Sequence, residues 1–208
     1  MNKIKDFFKN NWADIFKPII VLFSICIVIP LALAATNMVT VDRIAKLTEE
    51  SNNKAMAALV EADEFNLKKF KPDENSEVEY YSASKDGEVT AFIFITSAKG
   101  YGGDVSVMTA VDLEGEILAV DILDVTGETP GLGQNAAKEG FYSQFAGKKD
   151  KITVVKNGAD EDAGEINAVT GATISSKAVT SAVNKALEYY EVLKMTSSVF
   201  IPNGGDVG

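Results

Sequence analysis

Between Pro18 and Val41 this chain carries no charged side chain, and no other stretch restricts its fold so severely. The centre of the run, Ile19 to Ile29, reads Ile-Ile-Val-Leu-Phe-Ser-Ile-Cys-Ile-Val-Ile. About 20 apolar residues cross a bilayer as a helix, so residues 18–41 predict a transmembrane helix. Pro30 would break a soluble helix but is tolerated in a membrane, where it predicts a kink. Lys3, Lys5, Lys9 and Lys17 precede the run, with Trp12 and several phenylalanines beside them as interfacial anchors. The positive-inside rule places this arm, residues 1–17, in the cytoplasm and the rest of the chain on the far face. A cleaved signal peptide fits the same lysines, with Ala32-Leu33-Ala34 before Ala35 as its processing site. The continuation of the run to Val41 favours a retained single-pass anchor; either alternative exports the remainder of the chain.

The 208 residues leave room for one ordinary domain beyond such an anchor. Net charge is −10, and its distribution matters: four lysines against Asp6 and Asp14 make the chain before Asp42 +2, leaving −12 for the remainder. A domain that acidic repels nucleic acid. The chain has no histidine, which excludes Ser-His or Cys-His catalysis and a His-ligated zinc site. Its single cysteine, Cys26, lies in the apolar run and can form neither an internal disulfide nor a cluster-binding set. Neither a catalytic side chain nor a metal ligand set is expected, so any redox chemistry must come from a bound cofactor. Asp160-Glu161-Asp162 lacks the alternating ligands of a calcium loop and reads as a solvated acidic turn.

Past the membrane segment, Ile44, Leu47, Met56, Leu59 and Val60 recur at helical spacing, and Pro72 with its acidic neighbours marks a break. Residues 42–74 are therefore expected as a connecting helical segment. Val78 to Tyr81 reads as a first strand; Asp86-Gly87 is a hairpin pair leading into Val89 to Thr96. Val105 to Val111 comes after it, and Glu114-Gly115 turns the chain into Ile117 to Val125. Short strands and tight turns predict an antiparallel meander. A short helix around Ala136 to Phe145 and a strand from Ile152 to Val155 come next. From Ser175 to about Leu193, Ala178, Val179, Ala182, Val183, Ala186, Leu187 and Tyr190 form one stripe that must bury against the sheet. The expected class is α+β, with the domain over residues 75–195 and a frayed tail, 196–208, around Pro202-Asn203-Gly204-Gly205.

Three stretches carry candidate chemistry. In Thr170-Gly171-Ala172-Thr173, small residues flanked by hydroxyls precede a helix whose N-terminus suits an anion. Ser175 or Ser176 equally suits an ordinary N-cap. Thr129-Pro130-Gly131-Leu132 fits a type II turn. Tyr101-Gly102-Gly103 serves as a hairpin turn, or as a place where backbone comes close to a ligand that Tyr101 covers.

Asn167 to Thr173 resembles the flavinylation signature of bacterial FMN-binding domains: Asp, two variable residues, Ser or Thr, then Gly-Ala-Thr. Gly100 to Met108 and Glu128 to Gly133 are similar to two further motifs of the G subunit of Rnf electron-transport complexes. The resemblance spans roughly residues 75 to 193. It implies FMN joined through its phosphate to Thr173, with Thr170, Gly171, Ala172 and Ser175 around the attachment. The 128–133 loop (Glu128, Thr129, Pro130, Gly131 and Leu132) and Tyr101, Gly102 and Gly103 would lie near the ring. Glu128 would either hydrogen-bond a flavin edge or stay solvated. Asn167 stands where the family pattern has Asp, which slows modification if the modifying enzyme reads that carboxylate. No histidine is present to activate the threonine, so a separate enzyme is expected to make the bond, and the resemblance implies a flavin transferase that uses FAD and magnesium. The resemblance further implies an electron-carrier subunit of a membrane-bound ferredoxin:NAD oxidoreductase that moves Na⁺ or H⁺. Its partners would be neighbouring membrane subunits, especially a flavin-bearing D-type subunit. It would not bind NAD itself, as no Gly-rich dinucleotide fingerprint follows a strand. The alternatives are the C subunit of a Na⁺-translocating NADH:quinone oxidoreductase, a stand-alone extracytoplasmic flavoprotein reductase, and a tethered binding or scaffold module without redox role.

Overall fold

The structure, a computed structural model, describes residues 12–73, 76–160 and 162–197. Lys3, Lys5 and Lys9 of the expected arm, Glu161 of the acidic turn and the tail around Pro202 lie outside the described residues. The chain divides into two units, one ending at Ser51 and one starting at Asn52.

Helix α1 (Trp12–Leu59) contains the apolar run and passes through both Pro18 and Pro30. A membrane helix ending at Val41 and a separate helical segment were expected. They are joined because neither glycine nor proline interrupts the chain between Pro30 and Leu59. From Ile19 to Leu47 the large apolar side chains of the first unit are exposed, from 43% at Ile27 to 80% at Val39. The hydroxyls of Ser24, Thr36 and Thr40 donate to the carbonyls of Ile20, Ala32 and Thr36 one turn back. Internal satisfaction of that kind is what a hydrocarbon environment demands. The helix is long and apolar enough to cross a membrane.

In the second unit, β1 (Glu64–Asp73), β2 (Ser76–Lys85), β3 (Glu88–Lys99), β4 (Asp104–Asp112) and β5 (Ile117–Asp124) form an antiparallel meander in sequence order. The expected hairpin turn between β2 and β3 is present, with Asp86 and Gly87 both at positive φ. A strand alternates its side chains between faces, and β3 and β4 bury both. Phe94, Val105, Val107 and Val111 face the terminal helix α3 (Thr173–Ser197), while Ile93, Met108 and Ala110 meet Met56 and Ala55 on the other side. The expected stripe of α3 is buried throughout. Thr96 ties sheet to helix by donating to the Ala182 carbonyl at 2.7 Å. Tyr190 donates to Leu113 O at 2.6 Å and pins the β4–β5 turn; burial, with Glu191, Asp112 and Glu114 nearby, pushes its hydroxyl up to about 12.

Four boundaries differ from expectation. Glu64–Asp73 is the sheet's edge strand, so a domain boundary at residue 75 cuts through the sheet. Lysines and a terminal proline disguise it, both being tolerated at an edge; Lys69 pairs across with Glu79 at 2.9 Å. Residues Thr153–Val155 (β6) pair in parallel with Glu165–Asn167 (β7) in a separate two-stranded sheet, not in the meander. The expected helix over 136–145 is broken into 3-10 turns at Gly133–Ala137 and Ser143–Phe145 around a short α2 (Glu139–Tyr142). Helix α3 starts at Thr173 and runs to Ser197.

Thr109 sits fully buried in β4, and its hydroxyl has no hydrogen-bond partner. An unsatisfied buried hydroxyl costs free energy that an isosteric methyl does not. Thr109→Val is expected to stabilise the protein by about 1 kcal/mol, read as a raised midpoint in urea unfolding of the detergent-solubilised chain.

Candidate functional site

Loops 100–103 and 125–133 and the first turn of α3 converge on one buried carboxylate. Glu128 is 2% exposed. Its Oε1 accepts the Gly102 N–H at 3.0 Å, and its Oε2 accepts the Ser175 hydroxyl. Burial pushes its carboxyl up, but hydrogen bonds from Ser175 and the N–H groups of Gly102, Tyr101 and Gly103 outweigh that and hold it below its ordinary value. The charge is buried rather than solvated, and each oxygen accepts a hydrogen bond from within the fold.

Glycines make this convergence possible. A methyl group at Gly100 would strike Glu128 Oε1, and one at Gly133 would come within 2.6 Å of Oε2 and 2.7 Å of Ser175 Oγ. At Gly102 it would strike the Gly127 carbonyl oxygen, while at Gly103 it would lie 3.3 Å from Gly127 Cα. Gly102 and Gly103 thus let two loops close on each other. The side of each glycine on which a Cβ would stand faces Gly127. The 129–132 turn forms as expected, with Leu132 N–H donating to Thr129 O at 3.2 Å and Gly131 at φ +75°.

The expected N-cap is absent at Ser175 and Ser176, since both lie inside α3. The helical ladder opens with Ser176 N–H donating to Ala172 O, so Ala172 holds the cap position, without a side-chain oxygen to fill it. The N–H groups of Thr173, Ile174 and Ser175 stand ahead of the ladder. Before them, Ala172 N–H donates to Val169 O at 2.9 Å, and Gly171 takes φ +77° within that turn. Asn167 Oδ1 accepts the Ala159 N–H at 3.1 Å, a contact that needs an acceptor but no charge.

Beside this turn lies an open cleft of about 500 Å³. It is lined by Tyr101, Glu128, Thr129, Leu132, Gly133 and residues 171–175. Its size lies within the range of small-molecule and cofactor sites. Leu132, Ile174 and Tyr101 are exposed at 46%, 55% and 71%, which gives the cleft apolar walls unlike the acidic surface elsewhere. Thr173 is half-buried and lines it. Of the expected residues, Thr170, Gly102, Gly103, Pro130 and Gly131 do not line it. Gly133, Ile174 and the packing partner Gly127 were missed; a glycine beside each end of the Glu128 loop was the available signal.

A pH effect arises from the buried carboxylate. Because folding lowers its pKa, Glu128 stabilises the protein above the unfolded value of about 4.3 and loses that contribution as pH falls through the folded value. Thermal unfolding midpoints of wild type should therefore drop below that pH more steeply than those of Glu128→Gln. Equal slopes would assign the acid sensitivity elsewhere.

Residues 100–188 match the family model described as the FMN-binding domain. Over 200 residues the chain is 36% identical to the G subunit of the Na⁺-translocating ferredoxin:NAD⁺ oxidoreductase complex of Acetobacterium woodii, covering 88% of this chain and 95% of that one. It is 37% identical over 165 residues to the G subunit of the proton-translocating ferredoxin:NAD⁺ oxidoreductase complex of Clostridium ljungdahlii, covering 78% and 84%. Among solved structures, NqrC of Shewanella oneidensis shares the fold, with a TM-score of 0.53 at 21% identity over 69% of this chain and 73% of that one.

Proposed function

The chain belongs to the family of G subunits of ion-translocating ferredoxin:NAD⁺ oxidoreductase complexes, and from that premise we propose that it is the FMN-bearing electron carrier of such a complex, with the cofactor held through its phosphate on Thr173. The observation that carries this reading is Thr173 itself. It stands at the uncapped start of a 25-residue helix and lines a cleft with Leu132, Ile174 and Tyr101.

The residues present suit the group. Three N–H groups ahead of the ladder and the helix dipole favour a phosphodiester anion. Lys177, exposed one turn further along, adds a positive charge on the same face. Leu132, Ile174 and Tyr101 offer apolar surface to a planar ring, and Glu128, behind them, supplies the fixed charge that bears on its potential. FMN, when bound, supplies one- and two-electron chemistry that no side chain here can provide.

Attachment needs an outside enzyme. The Thr173 oxygen forms a bond to the phosphorus of the FMN half of FAD, the pyrophosphate bond breaks, AMP leaves, and the hydroxyl proton passes to a base of the transferase. No electrons move in that step. A permanent tether suits an exported domain, because a dissociating cofactor would be lost by dilution. The lysines before the apolar run orient the domain outward, single-pass, where a flavin-bearing D-type subunit would exchange electrons with it. Likeness to the G subunits extends over 84–95% of their length, whereas the C-type likeness rests on fold. NAD binding is assigned to other subunits of the complex.

The test is intact mass. Chain produced with the transferase is expected to gain one FMN less one water, with the increment on the peptide carrying Thr173. An unmodified mass under saturating FAD and transferase would end the carrier reading.

A further inference from the structure

Helix α3 lacks a side-chain cap, yet its first turn is fastened on two sides. Ser176 Oγ accepts the Val169 N–H at 2.9 Å and donates to Ala172 O at 3.0 Å, closing the preceding turn. Ser175 is 2% exposed and donates to Glu128, whose other oxygen holds Gly102. An ordinary N-cap oxygen occupies the N–H groups of the first turn. Here the turn is secured through side chains that leave those donors open. Residues two apart on a helix point to roughly opposite sides, so drawing Ser175 inward turns Thr173 outward.

We propose that Glu128 and Ser175 are positioning residues: together they strap the glycine loop at 100–103 to the first turn of α3 and present the Thr173 hydroxyl for modification. The proposal rests on Thr173 being the attachment point and adds a role that operates before the flavin arrives. Glu128 fastens by accepting two hydrogen bonds, so loss of either end of the Ser175 bond has the same consequence. Without the strap the uncapped turn frays, and the hydroxyl is presented for a smaller fraction of time.

The experiment tracks FMN incorporation into the full-length chain in detergent, by intact mass over time, with transferase and FAD in excess. Glu128→Ala and Ser175→Ala are each expected to slow incorporation about tenfold, and the double variant no further. Glu128→Gln, which keeps an acceptor for Gly102 and can donate to Ser175, is expected to recover most of the rate. Hydrogen exchange of the Gly102 amide in the unmodified chain supplies a second readout, accelerated in Glu128→Ala and close to wild type in Glu128→Gln. Wild-type rates in both alanine variants, or additive losses, would overturn the strap while leaving Thr173 as the attachment point. A wild-type chain that gains no mass would overturn both. If Glu128→Ala fails to fold, Ser175→Ala and Glu128→Gln still decide the matter.

Discussion

Thr173→Ala is expected to yield a chain that folds as wild type does and carries no flavin. The side chain is half-buried at the first position of α3 and belongs to neither apolar core cluster, so its truncation removes little packing. Alanine is also the better helix former by a few tenths of a kcal/mol. Loss of the oxygen, by contrast, removes the atom to which phosphorus would be joined. The expected contrast is complete loss of visible flavin absorbance and of the mass increment, with an unfolding midpoint within about 2 °C of unmodified wild type. Thr173→Ser keeps the oxygen and is expected to remain yellow. The rival acceptor is Thr170, in the preceding turn. A Thr173→Ala protein that still gains the full increment would move the assignment to that neighbour.

Gly102→Ala is expected to cause the largest stability loss of any single methyl addition in the site. The added carbon would meet the Gly127 carbonyl oxygen, a backbone atom that no rotamer change can move aside. Separating the loops also strains the Gly102 N–H bond to Glu128. Overpacking against backbone costs about 3 kcal/mol, a fall of roughly 6–12 °C for a domain of this size. Gly131→Ala is the informative comparison. Its added methyl meets nothing within 4 Å, and only the φ of +75° opposes it. Left-handed backbone costs a non-glycine residue about 1–2 kcal/mol, so Gly131→Ala should unfold at a temperature between Gly102→Ala and wild type. Thermal unfolding of the three proteins in one detergent checks the order, and an inverted order would show that the loops separate freely.

The strands that were legible share a property. Val89 to Thr96 and Val105 to Val111 sit in the sheet's centre, where burial on both faces selects β-branched and aromatic residues. The edge strand Glu64–Asp73 escaped because solvent on its free side permits Lys68, Lys69, Lys71 and Pro72. Residues Glu165–Asn167 escaped because three residues are too few to show a period, and their partner lies twelve positions back. The stripe of α3 was legible from Ala178 to Tyr190, since six small or aliphatic positions and one tyrosine repeat with one period. Its start was not: Ser175 and Ser176 carry the chemistry of a cap, and only their contacts reveal them as fasteners pointing into the fold.

The long apolar helix, the acidity of the chain that follows it and the central strands of the meander are all local matters, written in charge, periodicity and short motifs. Each depends on residues within a few turns of one another, where sequence spacing maps directly onto space. The pairing of Glu128 with Ser175, 47 residues apart, is of another kind. A carboxylate reads alike in sequence whether water or a folded loop will surround it. Its burial, its depressed pKa and the cleft beside Thr173 arise only when three separate loops, closed glycine against glycine, exclude solvent from the same few atoms.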